Sequence, residues 1–202
     1  MQSYVLAGGG STRFGRDKAL VEIDGVAMLF RMRGLLGAVS QKVTVIAPPL
    51  RYAVLGVTAV SDRWEGQGPL AGIITALLTT KESGTVADWN LIIGCDLPFL
   101  TREWLSYLAE RALASRAEVV APRSAQGLEP LCACWRSNSA DKLQNVFDEG
   151  IRKITQAMKS LEMEVVDEAD WKRFDSAGRL FWNMNTVADF DEAKRILEAQ
   201  RA

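Results

Sequence analysis

The feature that most constrains this chain is a glycine-rich segment that follows a short apolar run near the N-terminus. Residues 3–7 predict a strand, and the strand leads into Gly8-Gly9-Gly10-Ser11-Thr12-Arg13-Phe14-Gly15-Arg16-Asp17-Lys18. Glycine allows sharp turns and close approach to a ligand, and consecutive bare N–H groups form a concave anion site. Arg13 and Lys18 add full positive charge. The segment therefore predicts a polyphosphate cradle, against the simpler alternative of a surface turn with two solvated cations.

The spacing excludes two common phosphate loops. A P-loop has lysine directly after its last glycine, whereas Gly15 is followed here by Arg16 and Lys18 comes later. A dinucleotide-binding fingerprint needs a third glycine where Arg13 stands. The segment is therefore a third kind of phosphate-binding loop.

Predicted strands and helices alternate along the chain. Strands are predicted at residues 42–47, 58–60, 89–94 and 118–121, with helices over 27–38, from Pro69 to about 80, after the N-cap Thr101, and after Asn185-Thr186. Such alternation favours βαβ units, and so an α/β, three-layer fold with a mainly parallel sheet. No linker interrupts the sequence, so we expect residues 1–202 to form a single domain; the less regular stretch 126–182 suggests a possible subdomain over the cleft.

Composition removes several classes of function. There are 24 Lys plus Arg and 25 Asp plus Glu, so bulk charge gives no reason to expect nucleic acid or an anionic membrane as partner. The absence of histidine excludes Ser-His-Asp and Cys-His catalysis and the common zinc sites. Three cysteines, no long apolar run and no export signal at the N-terminus lead us to expect a cytoplasmic protein with no membrane segment.

Two aspartates follow predicted strands. Asp96 comes after the apolar strand 89–94 and before Pro98, where a carboxylate is suited to bind Mg²⁺ together with substrate phosphates; the alternative is a helix cap. Asp62 precedes a second glycine-rich loop, 64–72, and could accept hydrogen bonds from a base or ribose, although an ordinary turn explains it equally well. In parallel sheets ligands collect beyond the carboxyl ends of the strands, so the Asp96 loop and the first glycine-rich segment are expected to face one another.

Two polar groups lie later in the chain. Arg152 and Lys153 could bind a second anionic substrate, although a solvated surface pair is the commoner explanation. Asn183 and Asn185 alternate, which predicts that both point the same way from a strand end and clamp a substrate or metal-bound water; the alternative is a structural turn with a helix cap.

These motifs resemble those of a known family. Residues 6–18 are similar to the signature L-A-G-G-x-S-x-R-M-G-x-D-K of molybdenum cofactor guanylyltransferases, with Phe14 in place of Met. Later blocks agree in order and spacing: Gly68-Pro69-Leu70-Ala71-Gly72, Cys95-Asp96-Leu97-Pro98-Phe99, Glu129-Pro130-Leu131, Gly150-Ile151-Arg152-Lys153 and Asn183-Met184-Asn185-Thr186. The resemblance covers nearly the whole chain.

The resemblance implies a single domain with a three-layer, Rossmann-like nucleotidyltransferase fold. It further implies an enzyme that uses GTP and Mg²⁺ to attach GMP to molybdenum-bound molybdopterin, with molybdoenzymes or their chaperones as acceptors of the product. The residues implied for the nucleotide are Leu6, Ala7, Gly8, Gly9, Gly10, Lys18, Asp62 and Asp96, with Arg13, Lys18 and Asp96 as catalytic residues, Asp96 as metal ligand, and Arg152, Lys153, Asn183 and Asn185 for the second substrate. Cytidylyl relatives tend to carry L-A-A-G, so Gly9 favours guanine.

Two alternatives stay open at the level of sequence. One is a nucleotidyltransferase of different selectivity, acting with CTP on molybdopterin or with another small substrate such as a sugar phosphate. The other is a nucleotide-binding regulatory domain without turnover, which the presence of Lys18 and Asp96 disfavours.

Overall fold

The computed structural model describes residues 1–8, 17–40, 42–57, 59–85 and 87–200. Gly9, Gly10 and Arg13 of the glycine-rich segment, and Thr58 of a predicted strand, lie outside these residues. The strands are β1 (Gln2–Leu6), β2 (Glu22–Ile23), β3 (Val26–Ala27), β4 (Val43–Ile46), β5 (Ala59–Val60), β6 (Trp89–Gly94), β7 (Val119–Ser124), β8 (Gly127–Leu128), β9 (Cys132–Arg136) and β10 (Met163–Val166). The helices are α1 (Met28–Gly37), α2 (Pro69–Glu82), α3 (Arg102–Ala114), α4 (Ala140–Asp148), α5 (Ile154–Ala157), α6 (Glu168–Trp171) and α7 (Val187–Ala199).

The central sheet has the order β10-β7-β9-β6-β1-β4-β5, and β8 pairs with β7 at its margin. Strand β1 is parallel to both β4 and β6, and β10 is parallel to β7. Strand β9 runs antiparallel between β6 and β7. The predicted α/β fold with a mainly parallel sheet is therefore confirmed.

Two helical layers cover the sheet. Side chains of α1, α3 and α7 pack in one buried cluster, and those of α2, α4 and α5 pack in a second. Along β1, Val5 belongs to the first cluster and Tyr4 to the second, because successive side chains of a strand point to opposite faces. All six residues of β6 are buried, as expected for a strand covered on both faces. No helix among the described residues has the length and apolar character needed to cross a bilayer.

Several predicted boundaries change. The first strand ends at Leu6, one residue earlier than predicted, and β7 continues to Ser124 instead of stopping at residue 121. The suggestion that residues 126–182 form a covering subdomain is wrong for residues 132–136 and 163–166, which are strands of the main sheet. Strand β9 pairs with β6 and β7, and β10 pairs with β7, so both join the main sheet through contacts that short-range periodicity does not report.

The caps of α3 and α7 are confirmed. The Thr101 hydroxyl accepts a hydrogen bond from the Trp104 N–H at 3.2 Å, which caps α3. At α7 the Thr186 hydroxyl accepts from the Asp189 N–H at 3.2 Å. The Asp189 carboxylate in turn accepts from the N–H groups of Thr186 and Asn185, each at 2.8 Å. This reciprocal capping box satisfies amide groups that the helix itself cannot pair.

The capping box predicts a pH-dependent contribution to stability. The Asn185 N–H, followed by the bonds to Thr186, holds the pKa of Asp189 below its ordinary value. Its carboxylate therefore stabilises the folded chain fully above about pH 4, and this contribution is lost as the pH falls through the lowered pKa. We expect Asp189→Ala to lower the free energy of unfolding at neutral pH by about 1 kcal/mol, measured by urea denaturation. The deficit should shrink in acid.

The matched control is Asp191→Ala, an exposed aspartate two residues further along α7. That variant should stay within about 0.5 kcal/mol of the parent, since it removes no cap. Equal losses in both variants, or a deficit in Asp189→Ala that does not change with pH, would contradict the role assigned to the cap.

Candidate nucleotide-binding site

A cavity of about 320 Å³ opens at the carboxyl ends of β1 and β6. The parallel register pairs Leu6 with Gly94, so the residues that follow the two strands emerge side by side. The described lining includes six residues expected from the sequence to bind the nucleotide: Leu6, Ala7, Gly8, Lys18, Asp62 and Asp96. The structure therefore brings together the described part of the predicted nucleotide site.

Asp96 lines this cavity, and one of its two carboxylate oxygens is buried. Its Oδ1 atom is shielded from solvent, and no described residue donates a hydrogen bond to it. Burial raises the pKa of Asp96, and the nearby charge of Lys18 opposes that rise. The alternative role as a helix cap is not supported, because Thr101 caps the following helix. A buried acceptor without a donor is costly, and a bound cation would relieve that cost.

Gly94 makes room for this carboxylate. A Cβ atom built on Gly94 would lie 2.8 Å from Asp96 Oδ1, closer than real Cβ atoms approach an oxygen. The last residue of β6 must therefore lack a side chain if Asp96 is to fold back over the strand end. The sequence places a glycine before Cys95-Asp96, but gives no reason for it; the reason lies in the side-chain path of Asp96.

Lys18 begins a 3-10 turn, 18–20, at the far end of the glycine-rich segment. Its Nζ donates to Asn185 Oδ1 at 3.1 Å, across 167 residues of sequence. The Asp96 carbonyl accepts from the Met184 N–H at 2.9 Å, which holds the same C-terminal segment beside the Asp96 loop. Lys18, Asp96 and Asn185 are thus gathered at one end of the cavity.

Asp62 is held in a defined orientation. Its Oδ1 accepts from the Trp64 N–H at 3.1 Å and from the Thr75 hydroxyl at 2.9 Å. Both of these donors bond Oδ1, so Oδ2 is the oxygen suited to meet a ligand. Gly72 of α2 lies beside this carboxylate: a Cβ atom built on it would be 3.8 Å from Asp62 Oδ2 and 3.3 Å from a Leu6 methyl group.

The second glycine-rich loop leads into the N-terminus of α2. Gly66, Gly68, Pro69 and Gly72 line the cavity. Gly68 has φ +90°, a conformation that L side chains rarely adopt, and it directly precedes the first helical residue, Pro69. The amino end of a 14-residue helix therefore faces the cavity, with the positive end of its dipole.

Arg152 is engaged with the protein itself. Its Nε donates to Gln67 Oε1 at 3.1 Å, and Nη1 donates to the Phe147 carbonyl at 2.5 Å. The guanidinium lies 3.8 Å from the centre of the Phe147 ring. Arg152 therefore connects the end of α4 to the second glycine-rich loop. The described lining of the cavity includes neither Arg152 nor the exposed Lys153.

The predicted strand end at Asn183 and Asn185 is wrong. Residues 183–186 form no strand; the Met184 N–H donates to the Asp96 carbonyl in the loop after β6, and the Met184 side chain is buried. The Asn183 amide donates to the Phe181 carbonyl at 3.3 Å, whereas Asn185 accepts from Lys18. The two asparagines therefore have separate partners, and Asn185 is the one that meets a predicted site residue.

Two contributors were not assigned from the sequence. Asp17 lines the cavity and accepts hydrogen bonds from the Ala19 N–H at 3.0 Å and the Tyr52 hydroxyl at 2.9 Å. Asp17 is part of the first motif, so its position carried a signal. Tyr52 is fully buried and belongs to none of the motifs, so only the folded chain shows that it reaches this site.

The acidic residues of the site do not form a complete metal centre. Among the described residues there is no group of three or more Asp, Glu or Cys side chains arranged to hold an ion. A cation at Asp96 would therefore take most of its ligands from a substrate or from water. That requirement suits Mg²⁺, which commonly binds one or two carboxylates together with substrate phosphates.

Comparison with known proteins identifies the family. The model of the MobA-like NTP transferase domain matches residues 3–163. The molybdenum cofactor guanylyltransferase of Desulfosudis oleivorans is 27% identical over 199 residues, which cover 98% of this chain and 96% of that protein. The probable molybdenum cofactor guanylyltransferase of a Nostoc species is 32% identical over 171 residues, covering 82% and 80% of the two chains.

A solved structure shows the same fold. The molybdopterin-guanine dinucleotide biosynthesis protein A of Archaeoglobus fulgidus superposes with a TM-score of 0.83 at 24% identity, over 98% of this chain and all of that one (100%). The family match runs from the second residue of β1 to the first residue of β10 and includes Lys18, Asp62 and Asp96. The chain therefore belongs to the family of MobA-like NTP transferase domains and is a nucleotidyltransferase.

Proposed function

We propose that this enzyme transfers GMP from GTP to molybdenum-bound molybdopterin and releases pyrophosphate. The observation that carries the proposal is a cavity lined by both Lys18 and Asp96, in which the lysine charge lies near the carboxylate. The Oδ1 atom of that carboxylate is buried and accepts no hydrogen bond from a described residue. Relatives that align over nearly the whole chain are named molybdenum cofactor guanylyltransferases, which supports the choice of substrates.

GTP would occupy the cavity between the two glycine-rich loops. The backbone of Leu6, Ala7 and Gly8 would contact the nucleotide, continuing into Gly9 and Gly10. Asp62 Oδ2 would accept a hydrogen bond from an N–H or O–H of the nucleoside, since Oδ1 already accepts from Trp64 and Thr75. Anions are favoured near the amino end of α2, so this end of the cavity also tolerates phosphate charge.

Asp96 would hold Mg²⁺ together with the phosphates of GTP. Its buried Oδ1 supplies an anionic ligand that no described donor uses, and Gly94 leaves the space in which it lies. When bound, the metal ion supplies neutralisation of the charge that builds up on the transferring phosphates. The charge of Lys18 near the carboxylate keeps the end of the cavity electrostatically suited to anions.

The chemistry needs alignment and charge compensation. An oxygen of the terminal phosphate of molybdopterin forms a bond to the α-phosphorus of GTP. The bond from that phosphorus to the α–β bridging oxygen breaks, and pyrophosphate leaves with the electron pair. The attacking phosphate is already anionic at neutral pH, so no general base is required, which fits a chain without histidine. Lys18, and Arg13 from the glycine-rich segment, would bind the phosphate oxygens on which negative charge grows.

The second substrate would enter beside the C-terminal segment. Asn185 is bonded to Lys18, and Asn183 lies two residues away, so both are proposed to contact molybdopterin. Arg152 and Lys153 are proposed to bind its phosphate, for which Arg152 would have to exchange its bond to Gln67. The proposal also places the enzyme in the cytoplasm, where it would deliver the finished cofactor to molybdoenzymes or their chaperones.

Nucleotide selectivity is the most direct test. We expect GTP with Mg²⁺ to raise the melting temperature of the protein more than CTP, ATP or UTP at equal concentration. At about 100 times Kd the rise should be on the order of 5–10 °C. Pyrophosphate should be released only when GTP and molybdenum-bound molybdopterin are both present. A larger shift with CTP would point to a cytidylyltransferase, and nucleotide binding without pyrophosphate release would point to a regulatory domain.

The Asp96 site yields a paired prediction. Asp96→Asn keeps the shape of the side chain but removes its charge, and we expect kcat to fall by on the order of 10²-fold or more. Gly94→Ala should cause a comparable loss, because the new Cβ displaces the carboxylate while the end of the Asp96 side chain is free to move. Both variants should melt near the parent temperature and require more Mg²⁺ for activity.

Controls for this pair lie on the same scaffold. Asp88→Asn changes an exposed aspartate just before β6, at the opposite edge of the sheet, and Gly34→Ala adds a Cβ that meets no atom within 4 Å. Neither should alter kcat or the Mg²⁺ requirement. If the Asp96→Asn variant turned over at the parental rate at low Mg²⁺, the assignment of Asp96 as the metal ligand would be refuted.

Lys18 is expected to act mainly on the transition state. Charge moves onto pyrophosphate as it leaves, so an ammonium beside it contributes more during transfer than during GTP binding. Lys18→Ala should lower kcat by about 10²–10³-fold with a smaller change in GTP affinity. Lys18→Arg should recover part of the rate, because the planar guanidinium needs different room. Lys42→Ala, an exposed lysine at the other end of the sheet, is the control, and similar rates for the two alanine variants would refute the assignment.

A further inference from the structure

Tyr52 connects the two ends of the glycine-rich segment. Its hydroxyl oxygen lies 3.2 Å from the carbonyl oxygen of Ala7, just before the segment, and 2.9 Å from Oδ2 of Asp17, near the end of the segment. The residue is fully buried and packs in the same apolar cluster as Ala7 and Ala19. It comes from the segment between β4 and β5, which the motifs do not include. A fixed point at the base of the loop therefore comes from a distant part of the chain.

Asp17 passes this constraint on to Lys18. Its Oδ2 atom accepts the hydrogen bond from the Tyr52 hydroxyl and also pairs with Arg51 Nε at 3.3 Å. Its Oδ1 atom accepts a hydrogen bond from the Ala19 N–H at 3.0 Å. The carboxylate thus bonds on one side to Tyr52 and on the other to the turn that carries Lys18. A rotation of Asp17 would release the Ala19 N–H, in the middle of that turn, and allow the lysine to move.

We infer that Tyr52 is a positioning residue for the nucleotidyl transfer: its hydroxyl fixes Asp17, and Asp17 fixes the backbone of Lys18. The consequence for catalysis rests on the proposed function, whereas the mechanical link does not. Burial, and then the charge of Asp17, raises the pKa of the Tyr52 hydroxyl. The group therefore stays protonated over the whole working range and acts as a permanent donor.

Tyr52→Phe removes the hydroxyl and keeps the ring. Misplacing a catalytic group by about 1 Å can lower a rate on the order of 10²-fold, so we expect kcat to fall at least about tenfold while KM for GTP changes less than threefold, roughly. The matched control is Tyr4→Phe, which also removes a buried hydroxyl, bonded to Thr80 at 2.7 Å on the opposite face of the sheet. Tyr4→Phe should cost similar stability and leave kcat at the parental value. Equal kcat values for the two variants would overturn the inference.

A double-mutant cycle separates positioning from general loss of structure. If Tyr52 acts through Lys18, adding Tyr52→Phe to Lys18→Ala should lower kcat less than about twofold further, because the group to be positioned is already gone. If Tyr52 only supports the fold, its substitution should lower the activity of Lys18→Ala by the same factor as that of the parent. That second result would also overturn the inference.

Amide hydrogen exchange tests the link without any reaction. In Tyr52→Phe the N–H of Ala19 should exchange on the order of tenfold faster than in the parent, since its acceptor on Asp17 is no longer held. Exchange in the centre of β6 should not change, which would show that the fold is intact. Unchanged exchange at Ala19 would overturn the inference even if the enzyme used another nucleotide. Failure of the parent to transfer GMP would refute the proposed function while leaving this measurement valid.

Discussion

The parallel pairing of β1 with β6 is the constraint on which the site depends. Its register runs from Gln2 opposite Asn90 to Leu6 opposite Gly94. Two strands that end side by side must release their following loops at the same edge, so the glycine-rich segment and the Asp96 loop share one cavity. Pairing of β1 with β4 on its other side adds a second anchor, where the Ala7 N–H bonds the Ile46 carbonyl at 3.0 Å. A shift of one residue in this register would change how the backbone of Ala7 and Gly8 lies relative to the Asp96 carboxylate.

The site contains one electrostatically unfavourable group, the Asp96 carboxylate. Burial at the end of β6 removes hydration from Asp96 and raises its pKa, and no described residue donates a hydrogen bond to its Oδ1. Apolar packing of β6 on both faces supports this unfavourable group, since all six strand residues are buried. Because no described residue donates to Oδ1, a cation would bind this oxygen without first displacing a protein partner. The same logic explains why Gly94 is needed, as a side chain there would displace the carboxylate.

Long-range contacts complete what the strand ends begin. The C-terminal segment returns to the cavity through the bond from Met184 to the Asp96 carbonyl and through Asn185, which accepts from Lys18. The capping box of α7 orients that segment by using the N–H groups of Asn185 and Thr186. On the other side of the cavity, Arg152 joins α4 to the loop before α2. Helix ends and loops from three parts of the chain therefore enclose a site whose floor is the sheet.

Local sequence determined the elements and the chemistry of this protein. Apolar runs followed by glycine, aspartate and lysine predicted both strand-end loops, because residue type sets backbone freedom and charge without reference to the rest of the chain. The caps at Thr101 and Thr186 were predictable for the same reason, since each cap acts within four residues. The expectation that the segment after β1 and the Asp96 loop face one another followed from the rule that parallel strands end at a common edge, whereas the place of Asp62 in the site was implied by the family resemblance.

Tertiary structure alone decided the insertion of β9 between β6 and β7, the separate partners of Asn183 and Asn185, the use of Arg152 as a connector, and the reach of Tyr52 to Asp17. Most of these contacts join groups 35 or more residues apart, although β9 also pairs with the nearer β7, and the Asn183 bond depends on a choice between several nearby carbonyls. Periodicity and motif spacing report on neighbours along the chain, so they predict which residues can bind a nucleotide. Only packing fixes which of their oxygens and nitrogens are left to do so.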